Sequence, residues 1–156
     1  MKSKNNLIIS ILIPLAAGSL SALLSGGMNM DFKQPTFAPP AVLFPIVWTI
    51  LYILMGISSY LIYTSDHKLR EKALGTYAVQ LFFNFFWSIL FFGFDQYFLA
   101  FVWLLVLILL IIIMIYQFYQ INPTAAYLQI PYLLWCLFAA YLNYSIYLLN
   151  PSSLPS

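Results

Sequence analysis

The sequence predicts an all-α, polytopic membrane protein, a bundle of five transmembrane helices, on three observations. All six Lys and Arg and all four Asp and Glu lie in the N-terminal leader or in gaps between five long apolar stretches. An intramembrane charge costs several kcal/mol, so a chain that spans a bilayer keeps its charges in water. The stretches are Leu7–Leu24, Leu43–Tyr63, Ala73–Phe92, Tyr97–Ile121 and Ala125–Leu149. Each is near or beyond the roughly 20 residues a helix needs to cross about 30 Å of hydrocarbon. Runs such as Leu104–Ile115 show no two-residue alternation, which excludes a barrel and leaves helices to satisfy the backbone inside lipid.

Composition narrows the function. With 63% hydrophobic, 19% aromatic and 6% charged residues, 156 residues form one domain with no room for a soluble catalytic module. A net charge of +2 and no basic run interleaved with aromatics argue against nucleic acid. Cys136 is the only cysteine, so no internal disulfide or cysteine metal cluster can form, and no metal site is expected.

The first stretch follows Lys2 and Lys4 and can be read as a signal peptide or as helix one. Its length and the Gly18, Ala22, Gly26 series at spacing four favour a helix with a close-packing face, used within the bundle or between subunits. Pro14 should kink it and free the Ser10 carbonyl. The loop Ser25–Pro40 is long for so small a bundle. Its Gly-Gly start and the stiff segment Lys33–Pro40, with Pro35, Phe37, Pro39 and Pro40, suggest a lid. Helix two opens with Pro45 in its first turn, where a missing N–H costs nothing. It carries Trp48, Tyr52 and Met55 at helical spacing. Helix three presents Gln80, Asn84, Trp87 and Ser88; helix five presents Tyr132, Trp135, Ala139, Leu142 and Asn143. Each set points one way. Pro131 should kink helix five and free the Tyr127 carbonyl. The other loops, Thr64–Lys72, Gly93–Gln96 and Asn122–Thr124, are short enough to make sequential helices antiparallel neighbours.

The basic residues are asymmetric. Lys2, Lys4, Lys68, Arg70 and Lys72 lie on one side and Lys33 alone on the other. The positive-inside rule then puts the N-terminus in the cytoplasm and the C-terminus outside.

No Asp, Glu, Lys, Arg or His falls in a span, so an intramembrane acid–base pair or proton relay is absent. His67 reads as a solvated loop residue. Serines without a His or Asp partner make a hydrolase implausible. Cys136 reads as a small hydrophobe or a haem ligand. Asn84 and Asn143 must face the bundle, either to bind a ligand or to fasten helices. Trp48 and Trp103 fit an interfacial belt, whereas Trp87 and Trp135 sit deeper. Facing Trp and Tyr rings around a small Ala would form a flat apolar slot for a planar ligand.

These residues resemble the TspO/MBR family, the tryptophan-rich sensory or translocator proteins once called peripheral benzodiazepine receptors. The resemblance rests on Pro35-Thr36-Phe37-Ala38-Pro39-Pro40, on Val47-Trp48-Thr49-Ile50-Leu51-Tyr52-Ile53-Leu54-Met55-Gly56, on Asn84-Phe85-Phe86-Trp87-Ser88 with Phe91-Phe92-Gly93, and on Pro131-Tyr132-Leu133-Leu134-Trp135-Cys136 running on through Ala139 to Asn143. It implies a five-helix bundle, usually a homodimer, with helix one part of the fold and a pocket under the first loop. It also implies binding of protoporphyrin IX or a related tetrapyrrole, and of isoquinoline or benzodiazepine-type drugs, with no cofactor required. Carried over by position, the pocket involves Ala22, Trp48, Tyr52, Asn84, Trp87, Trp135, Ala139, Leu142 and Asn143, with Ala139 as its flat floor. Some bacterial members are linked to light- and oxygen-dependent porphyrin breakdown, for which Trp48 and Trp135 are the candidate redox-active groups. The expected setting is a bacterial cell membrane, with membrane lipid and small planar apolar molecules as partners.

The sequence departs from relatives in the loop, where Met28-Asn29 replaces a Trp-Tyr pair, Phe37 replaces a Trp and Gln34 a Lys. No Lys or Arg occurs in Tyr141–Asn150, so the basic residue closing a sterol motif in animal members is missing. Three functions follow: a tetrapyrrole receptor or sensor, a porphyrin-degrading enzyme on the same pocket, and a porphyrin or lipid transporter. The lack of a repeat and of coupling residues counts against active transport. A scaffold without ligand is the remaining reading.

Overall fold

The computed structural model describes residues 2–26 and 32–150. Among them there is no strand, and five helical segments are long and apolar enough to cross a membrane. The helices are α1 (Lys2–Leu24), α2 (Leu43–Tyr63), α3 (Arg70–Ser88, prolonged by a π-helical turn Ile89–Gly93), α4 (Tyr97–Ile121), α5 (Pro123–Leu128) and α6 (Ile130–Leu149). The protein is an integral membrane protein built as an all-α bundle. α1 packs on α2 and α3, α3 on α4, and α4 on α5 and α6, while α2 leans on α5.

α1 and α2 meet through glycines. A Cβ on Gly56 would lie 2.4 Å from Ile11 Cα and 2.7 Å from the Ser10 carbonyl oxygen. Pro14 has no N–H to give that carbonyl, and its side chain is fully buried while α1 continues through it. The bare Cα of Gly56 therefore backs onto the carbonyl that Pro14 leaves free. A Cβ on Gly18 would enter the Tyr52 ring, so the small-residue face of α1 is used inside the bundle at this position. The Ser21 hydroxyl donates to the Phe85 carbonyl and ties α1 to α3. The turn that follows α1 reaches Gly26, whose φ of +83° is costly for any residue with a Cβ.

Two expected continuous helices are modified. The third carries a π-turn at its end, closed by Phe94 N–H donating to Ile89 O at 3.0 Å. The fifth is broken rather than kinked. Asn122 caps α5, its Oδ1 accepting from Thr124 N–H at 3.0 Å, with Pro123 in the first turn. α5 stops at Leu128, Gln129 turns the chain, and Pro131 opens α6. A proline costs a helix least in its first turn, so the chain restarts there instead of bending around Pro131. The Ser58 hydroxyl donates to Ala125 O at 2.7 Å and holds α5 against α2.

Candidate functional site: an aromatic cavity between α2, α3 and α6

The cavity under the loop is lined by Trp48 from α2, Trp87 from α3, and Trp135, Ala139, Leu142 and Asn143 from α6. Its walls are completed by Phe44, Phe91, Phe92 and Ile146, and by Phe32 and Gln34 of the loop. Its open volume is only about 20 Å³, well below the range of occupied small-molecule sites. The walls approach closely, leaving room for about one water, so a macrocycle must part the rings to enter.

Those rings form a continuous run from α2 to the loop. Trp48 stacks on Tyr52 with centroids 5.6 Å apart, and lies 6.4 Å from Trp87. Trp87 stacks on Phe91 at 5.3 Å, and Phe91 meets Phe32 edge-on at 5.3 Å. The π-turn explains why Phe91 and Phe92, adjacent in sequence, are both buried in the same wall. The extra residue per turn slides them around the helix axis beneath Trp87.

Polar groups around the cavity are sparse and mostly committed. The Asn143 Nδ2 amide donates to Tyr97 O at 2.9 Å, and its Oδ1 accepts from the Trp87 indole N–H at 3.1 Å. Asn143 thus fixes the orientation of Trp87 while closing an α4–α6 contact. The Trp135 indole N–H is buried and has no partner among the described residues. It is a donor in an apolar wall, and an unmade hydrogen bond there is worth about 1–3 kcal/mol to any acceptor that reaches it.

Ala22, Tyr52 and Asn84 line a second cavity, with an open volume of about 40 Å³, together with Gly18 and Ser88. Trp48 and Trp87 line both cavities and stand between them. The Tyr52 hydroxyl donates to Asn84 Oδ1, Asn84 Nδ2 to the Tyr132 hydroxyl, and that hydroxyl to Gln80 Oε1, each at 2.8 Å. Asn84 is therefore occupied in fastening α2, α3 and α6, the helix-binding role open to it from the sequence.

The remaining expected residues fall around this centre. Trp48 is buried among the helices. Trp103 stacks on Phe83 at 4.4 Å and donates its indole N–H to Phe83 O at 2.7 Å, joining α4 to α3 away from the cavity. Cys136 is fully buried on α6, and among the described residues no group of three His, Cys, Asp or Glu could hold a metal ion. His67 accepts from Leu69 N–H in the α2–α3 loop.

The loop meets the cavity through Phe32 and Gln34. Lys33 is clamped to the end of α6: its N–H donates to Asn150 Oδ1 at 3.2 Å, and Asn150 Nδ2 donates to Lys33 O at 3.0 Å. Within a turn in which Ala38 N–H donates to Pro35 O, Phe37 lies 5.0 Å from the Tyr141 ring, and beyond it Pro39 reaches an outer groove between α2 and α6. Pro40 lies at the exposed end of this segment. Met28 and Asn29 lie outside the described residues. Phe32, Phe44 and Ile146 did not stand out in the sequence, and Gln34, Phe91 and Phe92 stood out only in the family resemblance, not as lining residues. Only the helical spacing of Phe44 to Trp48 and of Phe91 to Trp87 could have signalled two of them.

The model of the TspO/MBR family matches residues 10–149. A tryptophan-rich protein TspO of Archaeoglobus fulgidus is 36% identical over 148 residues, covering 92% of this chain and 96% of that protein. Protein CrtK of Rhodobacter capsulatus is 32% identical over 142 residues, 89% of each chain. The translocator protein of Sus scrofa is 36% identical over 143 residues, covering 87% of this chain and 85% of its own length.

Proposed function

Because the chain belongs to the TspO/MBR family, we propose that it is a membrane receptor or sensor that binds a tetrapyrrole such as protoporphyrin IX in the aromatic cavity, and isoquinoline or benzodiazepine-type drugs at the same place. The observation that carries this reading is the cavity wall itself. Three indoles from three helices converge with the small Ala139, and the Trp135 N–H is a buried donor awaiting an acceptor. Planar π-faces and one unmet donor suit a flat, largely apolar ligand with a carbonyl or carboxylate group. Among the described residues the lining holds no charged side chain, which suits recognition by shape and stacking. Ala139 supplies the floor, Leu142 and Phe44 the apolar flanks, and Phe32 and Gln34 the cover. In this reading the protein acts as a homodimer in a bacterial cell membrane, with its N-terminus in the cytoplasm as the Lys and Arg asymmetry suggests.

A second reading shares the cavity. Trp48 and Trp135 both line it, so a bound, photo-excited porphyrin would have indoles within its contact shell to exchange an electron, and oxygen would complete its degradation. Carriage of porphyrin or lipid is a third reading, supported by the translocator name of relatives and by no feature of the cavity.

Titration of the lipid-reconstituted protein with protoporphyrin IX in the dark, followed by tryptophan quenching, tests the first reading. Saturable quenching is expected. Illumination then separates the readings: unchanged porphyrin bands leave a receptor or carrier, and protein-dependent bleaching establishes the enzyme. Quenching that never saturates refutes the proposed ligand.

A further inference from the structure

Two ways lead from outside to the cavity, and they are closed differently. At the loop end, the cover is fastened. Lys33 and Asn150 exchange two hydrogen bonds, and Phe32 is held edge-on to Phe91 and 5.5 Å from Tyr97. On the flank, α2 and α6 hardly touch along their backbones. Between them runs a groove with an open volume of about 600 Å³, lined by side chains such as Leu43, Val47, Leu54, Leu134, Trp135 and Phe138. All of these belong to the spans Leu43–Tyr63 and Pro123–Leu149, so the groove opens to hydrocarbon.

Trp135 lines both the groove and the cavity. It is partly exposed and packs against Phe44 at 5.6 Å and Phe138 at 5.5 Å. Trp87 and Trp103 are pinned by indole hydrogen bonds, whereas the Trp135 N–H is bonded to nothing described. Turning its ring breaks no hydrogen bond. Moving the cover breaks at least the two between Lys33 and Asn150 and exposes Phe32.

From this asymmetry, and resting on the ligand reading above, we propose that the groove between α2 and α6 is a portal from the bilayer, filled by a lipid acyl chain at rest and opened to apolar ligands by rotation of Trp135. A molecule that partitions into hydrocarbon then reaches the cavity without crossing water or unfastening the loop.

Two measurements on the full chain in phosphatidylcholine nanodiscs test this. In the first, lipids with brominated acyl chains quench tryptophan fluorescence on contact. The component lost in Trp135→Phe is expected to be quenched. An unquenched Trp135 shows that another protein surface, such as a second copy, covers the groove, and overturns the proposal. In the second, stopped-flow quenching by protoporphyrin IX in the dark gives association and dissociation rates. Val47→Phe narrows the groove without lining the cavity, so both rates should fall severalfold by the same factor, with Kd unchanged. Leu54→Phe repeats the test should Val47→Phe fold poorly. Asn150→Ala releases the cover and should leave association unchanged. Faster association in Asn150→Ala with no change in the groove variants places entry under the loop and overturns the proposal. A wild type without saturable quenching ends the ligand reading and the entry claim together, and is distinguished from failure of the portal alone by its missing end point.

Discussion

Gly56→Ala is the sharpest test of how α1 and α2 are joined. Its new Cβ would sit 2.4 Å from Ile11 Cα, 2.7 Å from Ser10 O and 2.8 Å from Ile11 N. Relaxed carbon–carbon contact lies near 3.5–4.0 Å, so the helices must part by about 1 Å. All three obstructing atoms are backbone, and none can rotate away. Overpacking of this kind costs about 1–3 kcal/mol, against an intrinsic helix gain of roughly 0.5–1 kcal/mol for replacing Gly with Ala. The net expectation is a loss of about 1–2 kcal/mol, or roughly 2–8 °C in Tm for a chain of this size. Gly75→Ala is the matched control. Nothing lies within 4 Å of its Cβ position on the exposed face of α3, so the helix gain should appear alone as a higher Tm. Cys136, the only cysteine and fully buried, reports unfolding directly through a fluorogenic maleimide. A Gly56→Ala protein that melts at or above the wild-type temperature refutes the close approach at Ser10.

Other substitutions address the cavity and the polar core. Asn143→Ala strands the Trp87 N–H and removes the tie to the Tyr97 carbonyl, and should cost about 1–3 kcal/mol with a shift in tryptophan emission; unchanged stability and emission would show that Trp87 is not held by this amide. Both amide atoms of Gln129 are buried without a partner among the described residues, so Gln129→Leu should be neutral or raise Tm in the maleimide assay. A lower Tm would mean that the amide is satisfied after all. If the enzymatic reading holds, Trp135→Phe should reduce porphyrin bleaching under light more than dark binding; equal loss of both would make Trp135 a binding residue only.

Much of the fold was legible because lipid imposes severe constraints. Charge exclusion marked the ends of α2 and α4, and the helical spacing of Trp48 with Tyr52 and of Trp135 with Ala139 identified inward faces. What was hidden depends on backbone geometry that a regular 3.6 period cannot express. The π-turn after Ser88 carries Phe91 and Phe92 into the cavity together, whereas ideal spacing from Trp87 would select only Phe91. Pro131 signalled a disturbance, but the Asn122 cap and the restart of the chain as α6 turned an expected kink into a break. The pocket residues implied by family resemblance fall into two groups that only tertiary contacts distinguish. Trp48, Trp87, Trp135, Ala139, Leu142 and Asn143 border the cavity under the loop. Ala22, Tyr52 and Asn84 lie beyond Trp48 and Trp87, with the Asn84 amide consumed by Tyr52 and Tyr132. The loop's role rests on Lys33 and Asn150, 117 residues apart, a pairing no local pattern reveals.

The central claim, that a planar ligand lies against Ala139 in the cavity under the loop, is tested most directly by the dark affinity of Ala139→Leu for protoporphyrin IX beside the wild type. Ala139 is nearly buried in a cavity with room for about one water, and a Leu side chain would occupy the space into which the macrocycle must slide. Affinity should fall by at least about tenfold, or about 1.4 kcal/mol, with Tm in the maleimide assay showing that the fold is retained. A folded Ala139→Leu protein that binds protoporphyrin IX as tightly as the wild type would contradict the claim and put the ligand elsewhere on the bundle.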